Sequence, residues 1–346
     1  MTAAAPRATM RAFVVTGPGR AAVELVPRPV AAPGEVVVDV ERVGVCGTDV
    51  EFFTGHMAYL HSGQAEYPMR LGHEWCGTVT AVGDGVDPTW LGRRTTGDTM
   101  IGCGRCRRCL AGLHHVCEDR FEIGIRGGFP GALAEQLAVP VVALHALPDA
   151  VDAVAGALVE PGGNALRSFE AAALQPGDRL LVLGPGTIGL LVARFARAAG
   201  VEVHVVGRSE RSRAFAESLG DLAVWTAQTL PQLPFDAVVD CSNHAELPAL
   251  ALELVEPGKR VVYVGLAGSP SRIDTRTLAL KDVTAVGVLS ASPGLVGTIA
   301  QYASGAVDPR PLVAATIGLD DVGAVFGGAR PTGAGPGPKI HVDPRL

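Results

Sequence analysis

Four of the seven cysteines, Cys103, Cys106, Cys109 and Cys117, stand close together, three at spacing three and the fourth eight residues on. Four thiolates suit tetrahedral zinc and leave no open position for chemistry. A four-iron, four-sulfur cluster uses similar CxxCxxC spacing and stays open as a rival at this point. A closed site of this kind holds a loop in shape and need not carry catalysis. Three more features hold metal-ligand types at wide separation: Cys46-Gly47-Thr48-Asp49, Gly72-His73-Glu74 and Glu160-Pro161. A Cys, a His and a carboxylate are what a catalytic zinc takes, with one position left for water or substrate. Spacing alone does not join them, since a lone Cys after a strand is usually core and a lone His-Glu is usually surface. A glycine motif, Gly184-Pro185-Gly186-Thr187-Ile188-Gly189, follows an apolar run and opens a helix. Glycines there allow a tight turn and close approach to a pyrophosphate, and the helix N-terminus supplies amide donors for the anion.

These features need elements to position them. Short strands with Gly/Pro punctuation are predicted at 11–15, at 35–43 behind Pro33-Gly34, and at 75–82 before Gly83-Asp84-Gly85. They continue to about residue 145 and make a compact, mostly β domain. Residues 152–174 are Ala-rich and helical, interrupted at Pro161-Gly162-Gly163. Beyond them, strands at 179–183, 201–206, 235–240 and 260–264 alternate with helices at 188–199 and 211–219. That alternation argues for a parallel doubly wound sheet. The end, 311–346, reverts to short strands and turns and reads as a return to the first domain. The expected division is 1–165 with 305–346 against 166–304, with the chemistry in the cleft between.

Composition narrows the function classes. The chain has 346 residues, which suggests roughly two domains. It has 29 basic and 35 acidic residues, a net charge of -6 that argues against a nucleic-acid partner. It has no uncharged apolar run long enough to span a membrane. The N-terminal stretch lacks the apolar core of a signal peptide, so the cytoplasm is the expected compartment. An odd cysteine count without an export signal argues against a disulfide framework. Cys76 and Cys241, in or at the end of strands, read as small buried hydrophobes. Arg105, Arg107 and Arg108 read as a solvated loop face.

In this order, the Cys46–Asp49, Gly72–Glu74, four-cysteine and glycine motifs resemble the medium-chain, zinc-dependent alcohol dehydrogenase family. The likeness runs from about residue 10 to 345. It implies an α/β protein, a GroES-like mostly-β catalytic domain plus a Rossmann cofactor domain. It implies Cys46 and His73 as ligands of a catalytic zinc, and Cys103, Cys106, Cys109 and Cys117 as ligands of a structural zinc. The third catalytic ligand is Glu74 or Glu160, since relatives differ; Glu160 is favoured, with Glu74 close by. Thr48 would bond the substrate oxygen and begin a proton relay, and Asp49 would orient the His73 imidazole. Some relatives carry a relay histidine where this chain has Glu51, so the later relay steps do not carry over; His56 is the nearest substitute. Zinc would act as a Lewis acid that eases loss of the alcohol proton before hydride leaves for a nicotinamide.

The second strand of the cofactor domain ends at Gly207, where an acid that holds the ribose of NAD is expected. Arg208, Ser209 and Arg213 follow, and a guanidinium pairs bidentately with a 2′-phosphate. NADP(H) is therefore expected, with NAD as the alternative and with Arg208 as one more surface arginine in the bland reading. Lys339 is a weak candidate to reach the cofactor. Residues 158–165 are similar to the Glu-Pro segment of polyol, sugar and threonine dehydrogenases, which implies a polar secondary alcohol or ketone as the small-molecule partner. Loops 52–68 and 121–131 are the expected pocket walls, with Gly124-Ile125-Arg126-Gly127-Gly128 a suggestive substrate contact. The resemblance also implies a homodimer or homotetramer paired through edge strands of the cofactor sheet; residues 278–295, apolar and β-rich, are a candidate for that edge, with a core strand as the alternative. The rivals are an NAD-dependent sugar or threonine-type dehydrogenase and a non-catalytic nucleotide-binding relative.

Overall fold

The computed structural model describes residues 8–220 and 222–346. The first seven residues, part of the stretch expected to lack an export signal, lie outside the described residues. The chain divides into two compact units. One runs to Glu160 and takes back Val313–Gly335 and Lys339–Leu346; the other is Pro161–Leu312 with Pro336–Pro338.

In the first unit, Thr9–Gly17 pairs with Arg20–Pro27 and Met69–Arg70. The larger sheet runs Leu144–Ala146, Arg94–Gly97, Glu74–Val82, Glu35–Gly44, Lys339–Val342, Val313–Ile317, with Gln136–Pro140 also paired to Glu35–Gly44. Val36, Val37 and Val38 are all buried, a run rather than an alternation. Such a run marks a strand covered on both faces. With Phe52, Leu71, Trp75 and Val79, Val36 and Val38 form the core, each buried side chain contributing about 1.5–3 kcal/mol. The C-terminal strand closes the sheet antiparallel, His341 opposite Gly44 and Val342 opposite Val43.

In the second unit all six strands are parallel, in the order Ala223–Trp225, Glu202–Val206, Arg179–Leu183, Phe235–Asp240, Val255–Tyr263, Thr284–Gly287. By position in the chain this is 3-2-1-4-5-6, the Rossmann order. Ala223–Trp225 is absent from the sequence-based expectation, because three residues carry too little pattern. Residues 278–295 are not one β segment: the end of helix Thr275–Leu280, edge strand Thr284–Gly287 and the turn Ser292–Gly294 share them.

The helix expected to break at Pro161-Gly162-Gly163 does not break there. Helices Ala153–Ala157 and Val159–Ala172 are separated at Leu158. Pro161 is the third residue of the second helix, where its missing N–H removes no ladder bond. The glycines serve close packing: a Cβ at Gly162 would lie 2.6 Å from Thr298 Cγ2, and one at Gly163 2.8 Å from Ala291 Cβ. Glu160 is thereby held in a first helical turn. All seven cysteines are free; Cys76 is buried, as expected, while Cys241 is half-buried. Among the described residues no helix is long and apolar enough to cross a membrane.

Candidate metal centres and cofactor cradle

Strand pairing builds the open site. Glu35–Gly44 and Glu74–Val82 run antiparallel with Gly44 opposite Glu74. Cys46 lies two residues past the end of one strand and His73 one residue before the start of the other, so both arrive at the same sheet end. Gly44 must lack a side chain, since a Cβ there would run into the Glu74 carboxylate. Cys46 is the N-cap of helix Gly47–Thr54, and Asp49 closes the cap by accepting the Cys46 N–H at 2.9 Å. The other Asp49 oxygen accepts the Gly72 N–H at 3.2 Å. One carboxylate, 1% exposed, thus fastens both ligand loops. It also lies 3.6 Å from His73 Nδ1, just beyond hydrogen-bonding reach, on the side that leaves Nε2 for a metal. Burial opposes charge on His73, yet the neighbouring Asp49 holds its pKa above the usual value.

The ligand atoms of Cys46, His73 and Glu74 all lie within 4.8 Å of one another. Glu160, favoured from the sequence, is buried in its helical turn outside that group. Burial raises its pKa to about 7, an effect that His73 lowers and Glu74 augments. Glu74 comes closer because the Gly44 pairing puts it at the strand head, which no sequence spacing encodes. Lys339 donates to Glu74 Oε1 and Oε2 at 2.9 and 2.7 Å and to the Val45 carbonyl at 2.8 Å. The sequence offered this lysine to the cofactor; in the structure its partner is Glu74. The scarcity of lysine, which occurs only at 259, 281 and 339, reads from the sequence as composition bias and does not point to this role. Each of the other two is also specifically engaged. Lys259 pairs with Asp236 at 2.8 Å, and Lys281 caps the carbonyls of Leu252, Glu253 and Val255. Thr48 is half-buried on the first turn of the Cys46 helix. Glu51 is exposed on the same helix, and so is His56 just beyond it, with Nδ1 3.0 Å from Thr54 Oγ1.

The second cluster is local. Cys106 caps the short helix Arg107–Leu110 and accepts the Cys109 N–H at 3.5 Å. Tetrahedral zinc, with Zn–S bonds of about 2.3 Å, sets its sulfurs about 3.8 Å apart. The sulfurs of Cys106 and Cys117 are 3.7 Å apart and those of Cys103 and Cys109 are 4.0 Å apart. In an iron–sulfur cube each sulfur binds a different iron and the four spread wider, so the spacing favours one zinc. Amide donors from Arg105 and Cys106 lower Cys103 to about 6, while burial pushes Cys109 up to about 12. Four adjacent sulfurs need a cation before all ionise. His114 takes no place among them; its Nε2 is 2.7 Å from Asp98 Oδ2. Arg105, Arg107 and Arg108 are exposed, and Arg108 meets Glu118 at 2.6 Å.

In the second unit, the turn after Arg179–Leu183 has Gly184 at φ 100°, and helix Thr187–Ala198 starts from Gly186. A Cβ at Gly189 would strike the Gly184 carbonyl, whereas the space beside Gly186 is open. Thr187 and Ile188 form the first turn, with its N–H donors, where an anion docks. At the next strand end, Gly207 packs under Pro185 and Arg213, whose Cγ would lie 2.9 Å from a Cβ. Arg213 Nη1 donates to the carbonyls of Gly207 and Arg208 at 3.1 and 2.8 Å. Ser209 caps helix Glu210–Ser218 by accepting the Ser212 N–H at 3.2 Å, and Arg208 is exposed. Of the predicted residues, Arg213 is thus engaged with the backbone, Ser209 forms a cap, and Arg208 faces solvent.

Comparison with known proteins agrees with this arrangement. Residues 32–149 match the alcohol dehydrogenase GroES-like domain, and residues 187–304 match the zinc-binding dehydrogenase family. The chain is 32% identical over 305 residues to 2-dehydro-3-deoxy-L-galactonate 5-dehydrogenase of Pseudoalteromonas atlantica, covering 85% of this chain and 87% of that one. It is 28% identical to L-threonine 3-dehydrogenase of Coxiella burnetii, covering 76% and 78%. A solved Sinorhizobium meliloti structure bound to NADP superposes with a TM-score of 0.88 at 28% identity, covering 98% of this chain and 100% of that one. Two donor clusters in a GroES-like unit and a glycine cradle in a Rossmann unit therefore have one common explanation: the chain belongs to the medium-chain, zinc-dependent alcohol dehydrogenase family and is an NAD(P)-linked oxidoreductase.

Proposed function

We propose that this enzyme interconverts a polar secondary alcohol and its ketone with NADP(H), at a zinc held by Cys46, His73 and a glutamate. The convergence of Cys46, His73 and Glu74 within 4.8 Å carries the proposal. The donor set fits zinc: a thiolate, an imidazole whose other nitrogen faces Asp49, and a carboxylate. When bound, the metal supplies Lewis acidity to the substrate oxygen. The chain's residues do the rest. Asp49 fixes the Cys46 and Gly72 backbones and keeps the His73 ring in register. The Thr48 hydroxyl would accept the substrate proton while giving up its own, so that one proton in net passes on to solvent. Lys339 holds Glu74 in place while each carboxylate oxygen keeps a lone pair for the metal. Glu160, which feels the charges of His73 and Glu74, is the alternative carboxylate, and metal analysis of Glu74→Gln against Glu160→Gln separates the two. Cys103, Cys106, Cys109 and Cys117 hold the structural zinc.

Polar substrates are supported by the relatives, which act on a sugar acid and on threonine. NADP is supported by Gly207 where an acid would hold ribose, by the exposed Arg208 beside it, and by the NADP-bound neighbour. The exposed edge strand Thr284–Gly287 is the place for pairing into a dimer or tetramer, and we place the enzyme in the cytoplasm. Turnover of a panel of sugar acids, polyols, amino alcohols and ketones with both nicotinamides tests the function. Faster NADP-linked turnover of a polyhydroxylated acid or polyol is expected. An NAD efficiency tenfold above that with NADP would discard the cofactor assignment, and no turnover of any polar alcohol would discard the substrate class.

A further inference from the structure

The four-cysteine lobe is tied to the segment that joins the Cys46 helix to His73. Arg120, three residues past Cys117, spreads its guanidinium over three acceptors. Nε donates to Glu122 Oε1 at 2.8 Å, Nη1 to the Cys117 carbonyl at 3.1 Å, and Nη2 to Tyr59 Oη at 3.3 Å. Tyr59 Oη donates in turn to Glu122 Oε1 at 3.3 Å. Glu122 is 2% exposed, so Arg120 is the cation that offsets a buried carboxylate. Arg126 lies 5.7 Å over the Tyr59 ring and donates to the Glu118 carbonyl at 3.2 Å. The Gly127 N–H donates to the Gln64 carbonyl at 3.1 Å.

Both stems of the lobe also lie against the backbone beside His73. On the exit side, the Ala132 and Leu133 N–H groups donate to the carbonyls of Gly72 and Leu71 at 2.9 and 3.0 Å. On the entry side, Thr99 Oγ1 donates to the His73 carbonyl at 3.4 Å. The Cys117 carbonyl stands where the clustered sulfurs hold it. A guanidinium is a rigid planar fork, so fixing one acceptor directs its other two arms. Tyr59 and Gln64 belong to one expected pocket wall, 52–68, and Glu122, Arg126 and Gly127 to the other, 121–131.

We propose that Arg120 is a positioning residue that carries the order of the metal-filled lobe to residues 55–68, so that the closed site sets substrate affinity at the open one. The inference rests on the proposed reading of the Cys46–His73 site as the place of the substrate. Its test uses the metal-loaded enzyme and the variants Arg120→Gln, Arg120→Lys, Tyr59→Phe and Cys106→Ser. In Arg120→Gln, KM for the alcohol should rise about tenfold with kcat held, the scale of one charge-assisted hydrogen bond. Metal content should stay at two ions per chain. Amide hydrogen exchange without substrate should quicken across 55–68 and stay slow across 74–82. Arg120→Lys keeps a cation beside Glu122 but loses the fork, so it should behave as Arg120→Gln does. Cys106→Ser, which empties the lobe and leaves one ion per chain, should give the same rise in KM and the same quickened exchange, and adding Arg120→Gln to it should change nothing further. Wild-type exchange and KM in Arg120→Lys, or full additivity in the double variant, would overturn the inference. If Arg120→Gln does not fold, Tyr59→Phe, which removes one hydroxyl, decides by the same exchange measurement. If the wild type turns over no alcohol, the functional reading fails while the exchange arm still judges the coupling.

Discussion

The two candidate metal-binding regions differ in how their donors come together. Cys103, Cys106, Cys109 and Cys117 are neighbours in the chain, half-exposed for the most part, and chemically alike. Cys46, His73 and Glu74 come from two strand ends, are mostly buried, and mix sulfur, nitrogen and oxygen. A local cluster costs little loop-closure entropy and needs only its metal to fold. A non-local one is assembled by the sheet before any metal arrives, and its register is held by Asp49 and Lys339. The first is therefore suited to hold shape and the second to present an open coordination position. The Arg120 tie makes them unequal partners in one device.

That contrast can be broken or sharpened by three substitutions. The largest effect should come from Cys46→Ser. Loss of the open-site metal should lower kcat/KM at least about a thousandfold, because such a metal contributes several kcal/mol to the reaction. Metal analysis should find one ion per chain, and thermal unfolding should stay near wild type. Collapse of the fold would erase the distinction between the two sites. Next comes Lys339→Met, which strands Glu74, 2% exposed, without its cation. About 3–5 kcal/mol of stability should be lost, read by denaturant unfolding of the metal-free chain; a loss under about 1 kcal/mol would mean that Glu74 is held by other means. The smallest effect on turnover should be that of Cys106→Ser. It should remove the lobe ion and lower the melting temperature while kcat stays near wild type. A kcat loss as deep as that of Cys46→Ser would show that the lobe is no mere support.

Much of the fold is legible in the sequence because its patterns are local. The strands 179–183 and 235–240 follow to the residue from apolar runs, and the glycine motif locates the cradle between strand and helix. The expected break at Pro161-Gly162-Gly163 fails because residue type alone does not say whether proline stands in a first helical turn. The packing of Gly162 and Gly163 against Thr298 and Ala291 tells that, and those partners lie more than a hundred residues away. The offer of Lys339 to the cofactor fails for the same reason: its true acceptor, Glu74, is distant in sequence.

The sequence by itself determined the donor types, the closed four-cysteine spacing, the glycine cradle and the alternation that makes a parallel sheet. These rest on short-range geometry, in which helical and strand periods and turn chemistry are set by adjacent residues. Only the tertiary structure decided which glutamate stands with Cys46 and His73, which carboxylate Lys339 neutralises, and how Arg120 spans the lobe and Tyr59. The first two depend on the antiparallel register that sets Gly44 against Glu74 and on the return of the C-terminal strand beside it. Register between distant strands is fixed by the burial of whole faces at once, and no spacing along the chain records it.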